Sequence, residues 1–231
     1  MTNKNIKIIG ICGAARSGKN TLAEVMSHIM VETPNEKYQN QVIATESFAA
    51  PIKSMVAMLL DFFGYGSIMD KTTQYPYLEG DSKEEVLEGL GVSTRALMQT
   101  LGTDWGRNMV SNTIWLDCME GRIKQYNEAI NHGFNGVVIF ITDVRFDNEA
   151  ELIKSVGGSV LKITTTRETD AVADHTSEGG VSDCLVDAYI ANDKDRDHLK
   201  ELALKYLEDF LGENLHDEVA PRIVNSGKDA G

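Results

Sequence analysis

The chain has 231 residues, 42% of them apolar and 25% charged, with Lys+Arg 22 against Asp+Glu 35 for a net charge of -13. That length suits one domain with an accessory lobe and a core that needs neither disulfides nor metal. The acidic balance argues against a nucleic-acid polymer or an anionic membrane as the main partner, since both require a basic face. It leaves room for a small anion met by a few focused cations. Three well-separated cysteines, Cys12, Cys118 and Cys184, form no CxxC pair and indicate a reducing compartment, so the cytoplasm is expected.

Taken in chain order, Ile6–Cys12 reads as a short buried strand and Lys19–Met30 as a helix with Leu22, Val25, Met26 and Ile29 on one face. Gln41–Glu46 is a second strand. Pro51 opens an amphipathic helix carrying Ile52, Met55, Val56, Leu59, Leu60 and Phe63. The stretch 64–91 reads as an insertion, with Ser82 and Glu85 expected to form a capping box for a short helix. Helical pattern resumes at 94–101 and 113–131. GVVIFIT at 136–142 reads as a central parallel strand, apolar on both faces. A helix over 147–156, a strand over 159–164, a polar loop over 165–180, a strand over 189–191 and a closing helix over 196–211 complete the pattern. Residues 213–231 read as a flexible tail. Alternating strands and helices predict an α/β fold with a mostly parallel sheet covered on both sides.

The segment GAARSGKNT at 13–21 fits the phosphate-loop spacing, with Gly13, Gly18 and Lys19 at the fixed positions. Glycines let the backbone curl so that its N–H groups face phosphate oxygens, and the following helix adds its N-terminal dipole. Gly13, Ala14, Ala15, Arg16, Ser17, Gly18, Lys19, Asn20 and Thr21 are therefore the expected donor-phosphate residues. Asn20 stands where a Ser or Thr commonly ligates Mg²⁺. Either its amide oxygen serves, or the ion is held through water and phosphate, the reading favoured here. Asp143, after the third strand, is placed as the acid that meets magnesium through water; the alternative is that it caps the next helix. Five of the eight arginines, Arg16, Arg95, Arg107, Arg145 and Arg167, fall at expected strand ends, loop mouths or helix starts.

These motifs resemble the deoxynucleoside monophosphate kinases of T-even-type bacteriophages, within the nucleoside monophosphate kinase-like phosphate-loop fold. The resemblance is carried by GAARSGKNT, FAAPIK at 48–53, RALMQTLGTD at 95–104 with Trp115, Asp143-Val144-Arg145, His175-Thr176 with Glu178 and Gly179, and Ile190-Ala191-Asn192-Asp193. It implies a three-layer kinase domain over 1–212, with a monophosphate-binding lobe at about 48–115 and a lid at about 165–180. It further implies transfer of the γ-phosphoryl of ATP, with Mg²⁺, to a deoxynucleoside 5′-monophosphate in the host cytoplasm. Lys19, Arg16, Asp143, Arg145 and Arg167 are then the expected catalytic set. Lys53, Arg95, Gln99, Thr103, Asp104, Trp115, Arg145 and Glu178 would serve the acceptor, and Asn192 would lie near the donor adenine. A homodimer stays open. The competing readings are a kinase of the same fold acting on dephospho-coenzyme A or a mevalonate phosphate, and an ATP-binding module without turnover.

Overall fold

The computed structural model describes residues 5–32, 40–166 and 180–212. Five strands form one wholly parallel sheet: β1 (Ile6–Cys12), β2 (Gln41–Glu46), β3 (Gly136–Val144), β4 (Ser159–Thr164) and β5 (Ala188–Ala191), in the order β2-β3-β1-β4-β5. β1 lies between β3 and β4, so successive connections leave it in opposite directions and open a crevice at its carboxyl end. Six of the nine β3 residues have apolar side chains, and all of Val137–Ile141 are buried, as a strand covered on both faces requires.

Helices cover the sheet on both sides, giving three layers. On one face α1 (Lys19–Glu32) and α7 (Arg196–Leu211) close a core with Leu22, Met26, Phe140, Leu161, Leu199 and Leu207. On the other, α5 (Ile114–Asn131) and α6 (Asp147–Ser155) pack Met119, Ile123, Ala150 and Ile153 against Ile8, Ile139 and Ile141. A smaller cluster of Val56, Leu60 and Leu87 sits apart from both. It joins α2 (Ala50–Phe62), α3 (Lys71–Leu78) and α4 (Thr94–Gln99), which extend from the carboxyl edge of the sheet.

Four expectations change. The insertion contains a full helix, α3, with Asp70 capping Thr72 N, although Pro76 lies inside it. The expected capping box is instead a 3₁₀ turn over Asp81–Glu84 with Gly80 at its start, and Ser82 Oγ reaches the Glu85 side chain rather than a helix amide. Helix 94–101 does not stop: it continues as a π-helix over Thr100–Val110. The third strand runs to Val144, so Asp143 belongs to β3 itself. The expected lid at 165–180 lies largely, and the tail at 213–231 wholly, outside the described residues.

Candidate active site

The loop joining β1 to α1 is held in a conformation that two glycines make accessible. Gly13 has φ +147° and Gly18 φ +100°; a Cβ on Gly13 would collide with the Ile163 carbonyl, and one on Gly18 would lie 2.5 Å from Asn192 Nδ2. Arg16 also adopts a left-handed φ of +60°, which turns the chain at the loop tip. Lys19 Nζ lies over the loop and donates to the Gly13 and Ala14 carbonyls at 2.8 and 2.6 Å. Ser17 Oγ is buried without a hydrogen-bond partner among the described residues. A curled backbone, a lysine across its mouth and an orphaned hydroxyl fit an anionic group that the loop receives.

Asn192, expected near the adenine, sits against the loop itself. Its side-chain amide donates to the Ser17 carbonyl at 2.9 Å, so β5 braces the loop from behind.

Asp143 is not the cap of α6, whose N-cap is Phe146. Its carboxylate accepts from Phe48 N (2.8 Å), Ala49 N (2.9 Å) and Ser47 Oγ (2.9 Å), fastening the start of α2 to the end of β3. Both amides lie just ahead of α2, so the carboxylate fixes the chain that leads into that helix rather than capping the one that follows it in sequence.

Beside this junction opens a cavity of about 220 Å³. Its cations come from four places: Lys53 on α2, Lys83 on the 3₁₀ turn, Arg95 and Arg107 on the α4–π helix, and Arg145 after β3. Phe48, Ile52, Met98 and Trp115 supply apolar wall, and Gln99 and Thr103 supply polar groups. Trp115 is buried and its indole N–H donates to the Gly102 carbonyl at 2.8 Å, which fixes it as wall. Of the five arginines singled out, Arg95, Arg107 and Arg145 converge here. Arg16 is exposed at the loop and lines neither this cavity nor the next. Asp104 is exposed and does not line it. Arg167 and Glu178 fall outside the described residues.

Glu149, which the sequence reading passed over, is the most constrained carboxyl of the site. It is 2% exposed, accepts from Arg145 N (2.8 Å) and Phe146 N (3.2 Å), and pairs with Arg107 at 2.8 Å. The Arg107 guanidinium also lies 4.0 Å from the centre of the Phe146 ring. Burial raises the Glu149 carboxyl to about 7, helped by the charge of Asp143 and opposed by its backbone donors and Arg107. Its signal was a Glu three residues into a helix, a pattern that commonly marks only a helix start. Lys83 had no signal beyond its charge.

A second cavity, of about 440 Å³, adjoins the start of α1 and is lined by Asn20, Glu24, Thr45, Glu46, Ser47, Lys53, Glu79 and Thr142. Glu46 is held at its rim by Arg122 Nε at 2.7 Å and by the Tyr126 hydroxyl.

A braced phosphate-type loop at the sheet's crevice, next to a cavity ringed by five cations, is the equipment of a phosphoryl-transfer enzyme. The model of the deoxynucleotide monophosphate kinase family matches residues 69–203, more than half of the chain, and the chain belongs to that family. It is 24% identical over 225 aligned residues to the deoxynucleoside-5′-monophosphate kinase of Escherichia phage T5, across 75% of this chain and 84% of that protein. Among solved structures, the dephospho-CoA kinase from Campylobacter jejuni matches with a TM-score of 0.36 and 14% identity, covering 89% of this chain and 97% of that one. The protein is thus a nucleotide kinase of a family with a phage member, as the motifs implied. Among the described residues no helix is long and apolar enough to cross a membrane.

Proposed function

We propose that the protein transfers the γ-phosphoryl of ATP to the 5′-phosphate of a deoxynucleoside monophosphate, giving the diphosphate. The observation that carries this reading is the convergence of Arg95, Arg107 and Arg145, with Lys53 and Lys83, on one cavity that meets the loop-side cavity at Lys53 and Glu79. An acceptor phosphate has its second pKa near ~6, so it arrives largely ionised and needs no general base. What it needs is neutralisation and aim, which cations supply.

In this reading the amides of Gly13–Thr21, with Lys19, hold the donor phosphates, and Arg16 and Arg167 approach from the loop and the lid. Arg95, Arg107 and Arg145 grip the acceptor phosphate, while Gln99 and Thr103 meet its sugar or base against the Trp115 wall. Asp143 acts through the backbone: by tying residues 47–49 to β3 it sets where Lys53 stands relative to Arg145. Residues 48–115 serve as the acceptor lobe of a single domain.

The amide, hydroxyl and carboxylate oxygens of Asn20, Thr45, Ser47, Thr142 and Glu46 are a donor set suited to a hard cation. Among the described residues no group of three or more His, Cys, Asp or Glu could cage a metal. Magnesium would accordingly be held by Asn20 and Thr142 with water and phosphate, Asp143 contributing through water. Bound there, it supplies charge neutralisation at the phosphoryl oxygens.

The test is steady-state ADP release with ATP against the four common dNMPs, their ribo forms and dephospho-coenzyme A. Turnover is expected with at least one dNMP. Lys19→Ala should lower kcat by ~10²–10³-fold. Arg145→Ala should raise the dNMP KM roughly tenfold or more with the ATP KM unchanged. Turnover with dephospho-coenzyme A and with no dNMP would overturn the reading.

A further inference from the structure

Among the described residues, only Lys53 and Glu79 line both cavities. They form an ion pair, Nζ to Oε1 at 2.6 Å, and each is about one-third exposed, at 32% and 38%. The pair therefore stands as the partition between the space beside the phosphate loop and the space ringed by arginines. Its backbone supports are firm. Lys53 is in the first turn of α2, where its N–H donates to the Ala49 carbonyl at 2.9 Å, and Ala49 N is itself bound by Asp143. Glu79 closes α3, its N–H donating to the Tyr75 carbonyl at 2.9 Å, with Gly80 packed on Pro76.

We propose that Glu79 is a positioning residue for the transfer: it holds the Lys53 ammonium at the boundary where donor and acceptor phosphates meet. This rests on the phosphoryl-transfer reading above and gives Lys53, the last residue of FAAPIK, a partner that no motif contains. Two phosphate groups approaching across such a boundary repel each other, and a compact ammonium between them lowers that cost. A lysine has four rotatable side-chain bonds, so a free one would spend its time in solvent. The fixed carboxylate on α3 confines it, much as an outer ligand orients a metal-binding side chain. Arg95, Arg107 and Arg145 lie on the acceptor side alone, so ground-state capture of the acceptor phosphate does not depend on the pair. The contribution of Glu79 belongs to the step in which the two phosphates come together.

The experiment is a double-mutant cycle on the full chain, read as kcat and dNMP KM. Glu79→Gln should lower kcat roughly ten- to a hundredfold, with the dNMP KM within about twofold of wild type. Lys53→Met should lose ~10²-fold in kcat. The variant carrying both should be no slower than Lys53→Met alone, because Glu79 acts only through the ammonium. Glu79→Asp, which keeps the charge on a stem one methylene shorter, should recover most of the rate and keeps the test usable if the Gln variant folds poorly. A Glu79→Gln enzyme with wild-type kcat overturns the proposal, as does a Glu79→Gln loss of equal size in the Lys53→Met background. Absence of dNMP-dependent turnover in the wild type would instead sink the reading on which it rests.

Discussion

Asp143 and Glu149 stand at the end of β3 and in the first turn of α6, and both spend their oxygens on backbone amides. Asp143 is half-buried and ties two chain segments together, whereas Glu149 is buried with Arg107 as its one cationic partner. Raising Glu149 from 4.5 to about 7 has a consequence for stability. Between those two values the folded chain binds more protons at this position than the unfolded chain does. Stability from this group is therefore complete below about 4.5 and is lost as pH rises through about 7. The loss is at most about 3.5 kcal/mol, since each unit is worth about 1.4. Glu149→Gln removes the titration while keeping most of the shape. Denaturant midpoints at pH 5, 6, 7 and 8 should show wild type losing ground to the variant as pH rises. Parallel curves would mean that Glu149 keeps an ordinary carboxyl affinity for its proton.

At the scale of elements, the α4–π helix is what gathers the acceptor-side groups. Arg95, Gln99, Thr103 and Arg107 recur every fourth residue, and all four line one cavity. In a uniform α-helix a four-residue step overshoots a turn by about 40°, so three steps would carry Arg107 about 120° away from Arg95. The run from Thr100 to Val110 is π, with wider i→i+5 turns that a four-residue step does not quite complete. The two drifts oppose each other, and the row stays on one side. None of this was legible in the sequence, where the helical pattern ends at Leu101, ahead of Gly102 and Gly106: apolar periodicity reports which face is buried, not the hydrogen-bond register. α3 escaped for a related reason, since Pro76 and a weak apolar stripe hid a helix that Asp70 caps and Gln74 anchors through the Ala57 carbonyl. The elements that build the sheet and its covers were legible, because their apolar patterns follow directly from burial on one face or two. Gly106 carries the π segment past Trp115: a Cβ there would collide with the indole ring and lie 2.9 Å from the Leu101 carbonyl. Gly106→Ala should destabilise the protein by ~1–3 kcal/mol in denaturant titration and lower dNMP affinity more than ATP affinity. Unaltered stability would show that the π segment yields freely.

For the whole molecule, the strand order explains how residues remote in sequence meet. With β1 between β3 and β4, the loop after β1, Asp143 at the end of β3, Arg145 just after it, and Asn192 after β5 all lie at the same carboxyl edge. The loop and the β3 acid could be anticipated from the sequence, since strand ends in a parallel sheet share an edge. Lys53 was marked by FAAPIK, but its pairing with Glu79 was not, because Glu79 closes another helix 26 residues on and lies in no motif. Charge is divided in the same way. A chain of net charge -13 gathers five of its 22 basic residues around one cavity, so the rest of its sequence is acidic in balance. Over a Debye length of about 8 Å at physiological salt, the cavity cations act on a monophosphate seated among them, while a longer anion must also cross the acidic surroundings. A dNMP at about 100 times its Kd should raise stability by about 2.7 kcal/mol, visible as a rise in Tm. A single-stranded DNA oligonucleotide at the same phosphate concentration should leave Tm within error and should not reduce the dNMP-dependent rise. Equal stabilisation by the oligonucleotide would mean that the cations form an open track rather than an enclosed seat, and the assignment of this cavity to a monomeric nucleotide would fall with it.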